Sequence, residues 1–315
     1  MIRETFERAV ARQRQGDLAG AIAGYRRCLE LDPSIAVARH NLCVALLTAG
    51  ELEEGFALYD LRFGAGRQPV RKPALSFPEW SGEPVWGRSI LIWPEQGAGD
   101  HIMFARFVPE LVHRGARVTM LVPPTLARLF APLPATILVA EGRVSIPTHD
   151  FWSMAGSLPG KLGVGLANLP ADRYLPDAPR GVGIGIMARG NPAHGADRDR
   201  SLPPDVAARL LALPGARSLH PDDTGARDFE ATAGIVRGLD LVISVDTSVA
   251  HLAGAMHKPT WILLQAQDPD WRWMRDRTDS PWYPTARLFR QPAPGDWDSV
   301  LNEVEAALRA RRAAA

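Results

Sequence analysis

Asp246-Thr247-Ser248 closes an apolar run, Leu241 to Val245, and opens a helical pattern that carries His251 one turn later. Short polar side chains at such a place cap the helix that follows. They leave its first amides facing outward, where the amides and the Thr247 and Ser248 hydroxyls would cradle a pyrophosphate. Plain capping beside a buried histidine is the competing reading. Gly97-Ala98-Gly99-Asp100 also follows an apolar run, Ser89 to Trp93. Gly97 and Gly99 would let a ligand approach the backbone, and Asp100 is equally an ordinary N-cap. Arg189-Gly190-Asn191-Pro192 and Asp197-Arg198-Asp199-Arg200-Ser201 form a polar loop. Its arginines would pair with phosphate oxygens, or the run is a solvated charged loop, and His194 with these aspartates has no metal-ligand spacing. Asp270-Trp271-Arg272-Trp273-Met274 and Ser280-Pro281-Trp282-Tyr283-Pro284 gather aromatic rings that either stack on sugars and bases or pin a long loop to the core.

The elements that must hold these loops alternate. Strands are predicted at 89–93, 117–122 and 135–140, with helices at 101–114 and 126–130. A second set of strands follows at 182–187, 216–219, 241–245, 260–264 and 287–289. Helices at 205–213, 231–239 and from 248 separate them, and an amphipathic helix at 296–311 ends the series. Strands joined through helices imply parallel sheets, and two consecutive α/β halves would set their strand C-termini around a shared cleft. Residues 141–178 give no readable period. Phe151–Met154 and Ser157–Pro159 are assigned to an acceptor side by position alone.

Ahead of these halves the chain repeats itself at an offset of 34: Gly16 with Gly50, Leu18 with Leu52, Tyr25 with Tyr59. Gly16 and Gly50 suit the turn between paired helices, Pro33 falls at a helix boundary, and Ala21 and Gly55 allow a close crossing. This is the tetratricopeptide period over residues 1–63. Two such units fall short of independent stability, so the module is expected to pack on the rest of the chain. It would serve as a docking surface for a protein or peptide acceptor, or as a structural brace or homodimer contact.

Bulk properties narrow the classes. The 315 residues carry a formal net charge of +1, which gives no global attraction to nucleic acid or an anionic membrane. The two cysteines, Cys28 and Cys43, suit small core residues of a reducing compartment. No apolar run is long enough for a membrane span and the start of the chain lacks a signal core, so a cytoplasmic protein is expected.

Taken in order, Glu95–Asp100, Arg200-Ser201, Val245–Gly254, Asp270–Trp273, Ser280–Pro284 and Arg287–Gln291 resemble bacterial tetratricopeptide proteins. The C-terminal part of those proteins is similar to glycosyltransferase family 9, the lipopolysaccharide heptosyltransferases. The resemblance spans nearly the whole chain. It implies a GT-B architecture: a helical module at 1–63, a linker at 64–88, an acceptor-side Rossmann-like domain at 89–179, a nucleotide-sugar domain at 180–295 and a terminal helix at 296–315. It implies inverting sugar transfer from a nucleotide-diphosphate sugar to an acceptor hydroxyl, with no metal or other cofactor. Asp100 matches the catalytic base, Arg200 the basic phosphate ligand, Asp246-Thr247-Ser248 the phosphate loop and His251 its histidine. Gly97, Gly99, Asn191 and His220 complete the expected donor site. Three departures point to a different donor or to lost activity. Ser248 stands where glycine is usual, Ala188-Arg189 where Trp-Ala is usual, and His220 where glutamine is usual. Retention of Asp100 and Asp246-Thr247 favours an active enzyme. The rival reading is an inactive or repurposed scaffold that binds a peptide or metabolite, with Arg189 and His220 touching the new ligand.

Overall fold

The computed structural model describes residues 1–63, 71–95, 97–177, 179, 181–192, 195, 197–267 and 269–313. Gln96, Ala178, Arg180, His194 and linker residues 64–70, which fall within the motifs and ranges given above, lie outside the described residues. The chain divides into two compact units. One is Met1–Ala127, Leu133–Pro170 and Asp270–Asp276; the other is Arg128–Pro132, Ala171–Pro269 and Arg277–Ala315.

The first unit begins with four helices, α1 (Ile2–Gln15), α2 (Leu18–Leu31), α3 (Ala36–Ala49) and α4 (Leu52–Leu58). Gly16 and Gly50 end α1 and α3 in the left-handed conformation, with φ 89° and 87°. Each glycine donates to a carbonyl three residues back while the next residue reaches five back: Gly16 to Gln13 and Asp17 to Arg12, then Gly50 to Leu47 and Glu51 to Leu46. The repeat seen in sequence is therefore a repeat of one hydrogen-bonded turn. Ala9, Ala21, Tyr25, Leu42 and Leu46 fill the space between the first three helices. A Cβ on Gly55 would stand 2.6 Å from the Leu47 side chain, which fixes how closely α3 and α4 approach. Tyr59 does not repeat the buried role of Tyr25. It starts a 3-10 turn (Tyr59–Phe63) and its ring meets Phe56 edge-on.

A parallel sheet of order β3-β2-β1-β4 follows, with β1 (Ser89–Trp93), β2 (Arg117–Val122), β3 (Thr136–Val139) and β4 (Phe151–Met154). The single helix expected at 101–114 is two, α5 (Ala98–Phe104) and α6 (Phe107–His113). The cause is Pro109, which lacks an N–H and whose ring would press on the carbonyl of Ala105. β4 escapes a period-based reading because it is short and buried on both faces: Trp152, Ser153 and Met154 are covered, so these residues do not line an acceptor surface. Backbone bonds between Trp80 and Trp152 and between Trp152 and Pro78 tie the linker to it. α7 (Pro124–Phe130) and α8 (Leu158–Leu162) complete this half of the chain.

The second parallel sheet has the order β6-β5-β7-β8-β9. Its strands are β5 (Ile184–Met187), β6 (Ala216–Ser218), β7 (Leu241–Val245), β8 (Thr260–Leu264) and β9 (Ala286–Arg290). β7 and β8 are buried at every residue, as strands sandwiched by helices must be. On one face β5, β7, β8 and β9 pack with residues of α10 (Pro204–Leu211) and α14 (Trp297–Ala313) in a single apolar cluster. α12 (Phe229–Arg237) and α13 (Ser248–Ala255) are the other long connections. Two short helices were not expected, α9 (Asp197–Arg200) and α11 (Pro221–Thr224). Among the described residues no helix is long and apolar enough to cross a membrane.

Candidate functional site

In open parallel sheets, ligands settle beyond the carboxyl ends of the strands where the strand order reverses. In the second sheet that point lies between β5 and β7. The loops after these two strands are the two polar loops that the sequence singles out, and the loop after β6, next to β5, carries His220.

In the loop after β5, Asn191, Arg198 and Asp199 are exposed, while Gly190, Asp197, Arg200 and Ser201 are tied together by hydrogen bonds. Asp197 is buried, the Gly190 N–H donates to Ser201 Oγ at 2.9 Å, and Ser201 Oγ donates to Asp197 at 3.1 Å. Arg200 lies across it, bonded to Asp197 at 3.1 Å, and donates through Nη1 to the Asp246 carbonyl at 2.9 Å. Nη2 of Arg200 makes no hydrogen bond among the described residues. A Cβ on Gly190 would meet Asp197 Oδ1 at 2.2 Å and Arg200 Nη2 at 2.6 Å, so a larger residue there would displace the Asp197–Arg200 pair. Asn191 follows on the exposed side.

The loop after β7 differs from expectation in one respect. Thr247 is the N-cap of α13, yet no side chain caps that helix. The Thr247 hydroxyl pairs with Ser244 Oγ at 3.0 Å, and Ser248 is already the first helical residue. The Thr247 side chain therefore takes no amide of the first turn, and that turn begins beside the backbone that Arg200 grips. His251 is buried and its Nδ1 lies 2.8 Å from the Tyr283 hydroxyl, which seats the helix. His220 caps α11: its Nδ1 accepts from the Asp222 N–H at 3.3 Å and faces Arg189 Nη2 at 3.1 Å. Trp271, Trp273, Trp282 and Tyr283 are all buried, so both aromatic runs pin loops to the core.

In the first sheet the reversal lies between β1 and β4. After β1, Gly97 rather than Asp100 is the N-cap of α5, and Gly99 and Asp100 lie within its first turn. Asp100 Oδ2 accepts from the Gly97 N–H at 3.2 Å, and Oδ1 accepts from Arg272 Nη2. Arg272 also donates to both Asp270 oxygens at 2.9 Å and to Met103 Sδ at 3.0 Å, with its guanidinium 4.4 Å from the Trp271 ring centre. Burial opposes its charge, but the Asp270 and Asp100 carboxylates prevail and hold Arg272 well above its ordinary range. Burial lowers neighbouring His101 below the usual histidine range against the pull of Asp100, which favours the neutral ring.

After β4, the Gly156 N–H donates to Glu95 Oε1 at 2.8 Å, and Arg62 Nη2 donates to the same oxygen at 2.8 Å. Ser157 joins Arg62 and Asp60 and borders an open cavity of about 400 Å³, with Phe56, Lys72, Glu79 and Lys161 on its other walls. Arg272, Arg62 and Glu95 were not singled out by residue type. Besides its local partner, each arginine has a distant one, 172 positions away for Asp100–Arg272 and 33 for Arg62–Glu95, which no local pattern announces.

No family model matches the chain. It is 24% identical to Protein FlbA of Caulobacter vibrioides (strain ATCC 19089 / CIP 103742 / CB 15) over an aligned length of 364 residues, covering 96% of this chain and 60% of FlbA. The chain thus spans about three fifths of the length of that curated relative. Among solved structures, a glycosyl transferase family 9 protein from Veillonella parvula DSM 2008 superposes with a TM-score of 0.48 at 10% identity, covering 73% of this chain and 91% of that one. The E. coli heptosyltransferase WaaC with ADP gives a TM-score of 0.41 at 14% identity, covering 69% and 99%.

Proposed function

We propose that the chain is a GT-B glycosyltransferase that moves a sugar from a nucleotide-diphosphate donor to an acceptor hydroxyl, with inversion and without a metal. The observation that carries this reading is the uncapped first turn of α13 at the strand-order reversal, with Arg200 bonded to the Asp246 carbonyl beside it. Helix amides and a guanidinium with a nitrogen to spare are what a diphosphate leaving group requires. The motif resemblance supports the same assignment. Asp246–Ser248 and Arg200 hold the diphosphate, Asn191 and His220 border the donor, and Ser248 adds a hydroxyl where relatives have bare backbone.

Asp100 is the base. The acceptor O–H gives its proton to the Asp100 carboxylate as the oxygen bonds to the anomeric carbon. The bond from that carbon to the donor phosphate breaks on the opposite side, and its electron pair leaves with the nucleoside diphosphate. Charge growing on the diphosphate is met by Arg200 and the α13 dipole in place of a cation. We read the four N-terminal helices as two tetratricopeptide units acting as a brace, because Phe56 and Tyr59 pack edge-on against Trp271 at 5.6 and 5.7 Å.

Thermal unfolding against ADP, GDP, UDP and their sugar conjugates, without added metal, tests the reading. A ligand at one hundred times its dissociation constant stabilises by about 2.7 kcal/mol. One nucleotide series should raise the midpoint, and Arg200→Ala should abolish the rise. No response to any of them would leave the scaffold reading in its place.

A further inference from the structure

Asp100 accepts bonds on both carboxylate oxygens, one from the helix-capping amide of Gly97 and one from a guanidinium that is itself immobilised. Every nitrogen of Arg272 has a partner, its side chain is 9% exposed, and the Trp271 ring covers it. We propose that Arg272 is the positioning residue for Asp100, fixing the carboxylate in one orientation so that its remaining lone pairs face the acceptor hydroxyl. This rests on the transferase reading above, and it gives the Asp270–Met274 run a role that neither its aromatic content nor the motif resemblance assigns.

The geometry explains the choice of side chain. A planar fork can bridge two carboxylates at once, Asp270 through Nη1 and Asp100 through Nη2, whereas a lysine offers one point charge and no fixed direction. The bridge is backed on every side. Met103 and Phe104 of α5 supply the sulfur contact and a ring 5.8 Å from the guanidinium carbon, and Asp270 also caps its own turn by accepting from the Arg272 amide at 2.9 Å. Met274, next in line, has φ 52° and ψ −166°, a backbone region that costs a side-chain-bearing residue energy. The segment accepts that strain while Trp273 is fully buried and Arg272 is held in its bridge.

Two measurements on the full chain test this. In the first, a stability cycle with Asp100→Asn, Arg272→Gln and the double variant reads the contact with no substrate. Coupling of about tenfold in the unfolding equilibrium is expected, and additive effects overturn the proposal. In the second, release of nucleoside diphosphate from ADP-, GDP- and UDP-sugars is followed, with water in the acceptor's place. Arg272→Ala should lower kcat about 100-fold, the scale of a misplaced reacting group, with donor KM within about twofold. Guanidinium ion should restore part of that kcat, and Arg272→Lys should stay impaired. Unchanged kcat in the folded variant, or kcat and KM lost together with no response to guanidinium, overturns the positioning role. A wild-type chain that turns over none of these donors sinks the transferase reading and the base role with it. Turnover by the wild type with no coupling in the cycle sinks the positioning role alone.

Discussion

Asp150 shows how a single side chain at the start of a strand answers to pH. Its carboxylate accepts from the Ser89 amide and hydroxyl, both at 2.8 Å, and from Arg88 at 3.0 Å. These bonds, the Ser89 amide first, hold it down to about 2. An unfolded aspartate titrates near 3.9. Because the folded value is the lower one, the stabilisation is complete above about pH 5 and is lost as pH falls from about 4 through 2. Thermal midpoints of the wild type and Asp150→Asn should therefore differ by a constant amount at neutral pH and converge below about pH 2. A gap that persists in acid would show that the charge is not what matters. The residue scale is also where sequence reading stops short. The loop after β7 can be found because strand, polar triplet and helix are adjacent, but the choice of Thr247 to bond Ser244 instead of capping α13 depends on side-chain direction. Arg272 sits in a conspicuous run of tryptophans, and nothing near it in sequence names Asp100 as its partner.

Among the elements, those with a local cause were legible. β1, β2, β7 and β8 occupy the residues expected of short apolar runs bounded by turn residues. Gly16 and Gly50 mark the ends of α1 and α3 because their left-handed backbone disfavours any other residue. The elements that were missed have causes outside the window. Pro109 acts four residues back to divide α5 from α6, and β4 is recognisable only by the neighbours that cover it. The paired turns make a prediction at this scale. Gly16→Ala and Gly50→Ala should each cost about 1–2 kcal/mol, the penalty of a Cβ in that conformation. The added atom would meet only the mobile end of Arg275 in one case and stand an ordinary 3.4 Å from Leu166 in the other, so the two costs should be alike. Urea unfolding measures both, and a neutral substitution at either glycine would show that the two turns are not equivalent.

For the molecule as a whole, the first unit closes only with a segment borrowed from between β8 and β9, Asp270–Asp276. Phe56 is the ring through which α4 meets it. Phe56→Ala should cost about 3–5 kcal/mol. Native-state hydrogen exchange should show α3, α4 and residues 270–276 losing protection together. Protection lost in α4 alone would mean that the borrowed segment belongs to a different cooperative unit.

That borrowing sets an order of events during synthesis. Asp100 leaves the ribosome 172 residues before Arg272. At about 5–20 residues per second the delay is roughly nine to thirty-four seconds. Through that interval the nascent first unit holds an ion pair with one member missing and an aromatic face, Phe56 and Tyr59, with no Trp271 against it. The bridge to Asp100 therefore forms only when most of the chain has emerged, and in a chain stalled before residue 270 the Asp100 carboxylate has the Gly97 amide but not yet the Arg272 guanidinium.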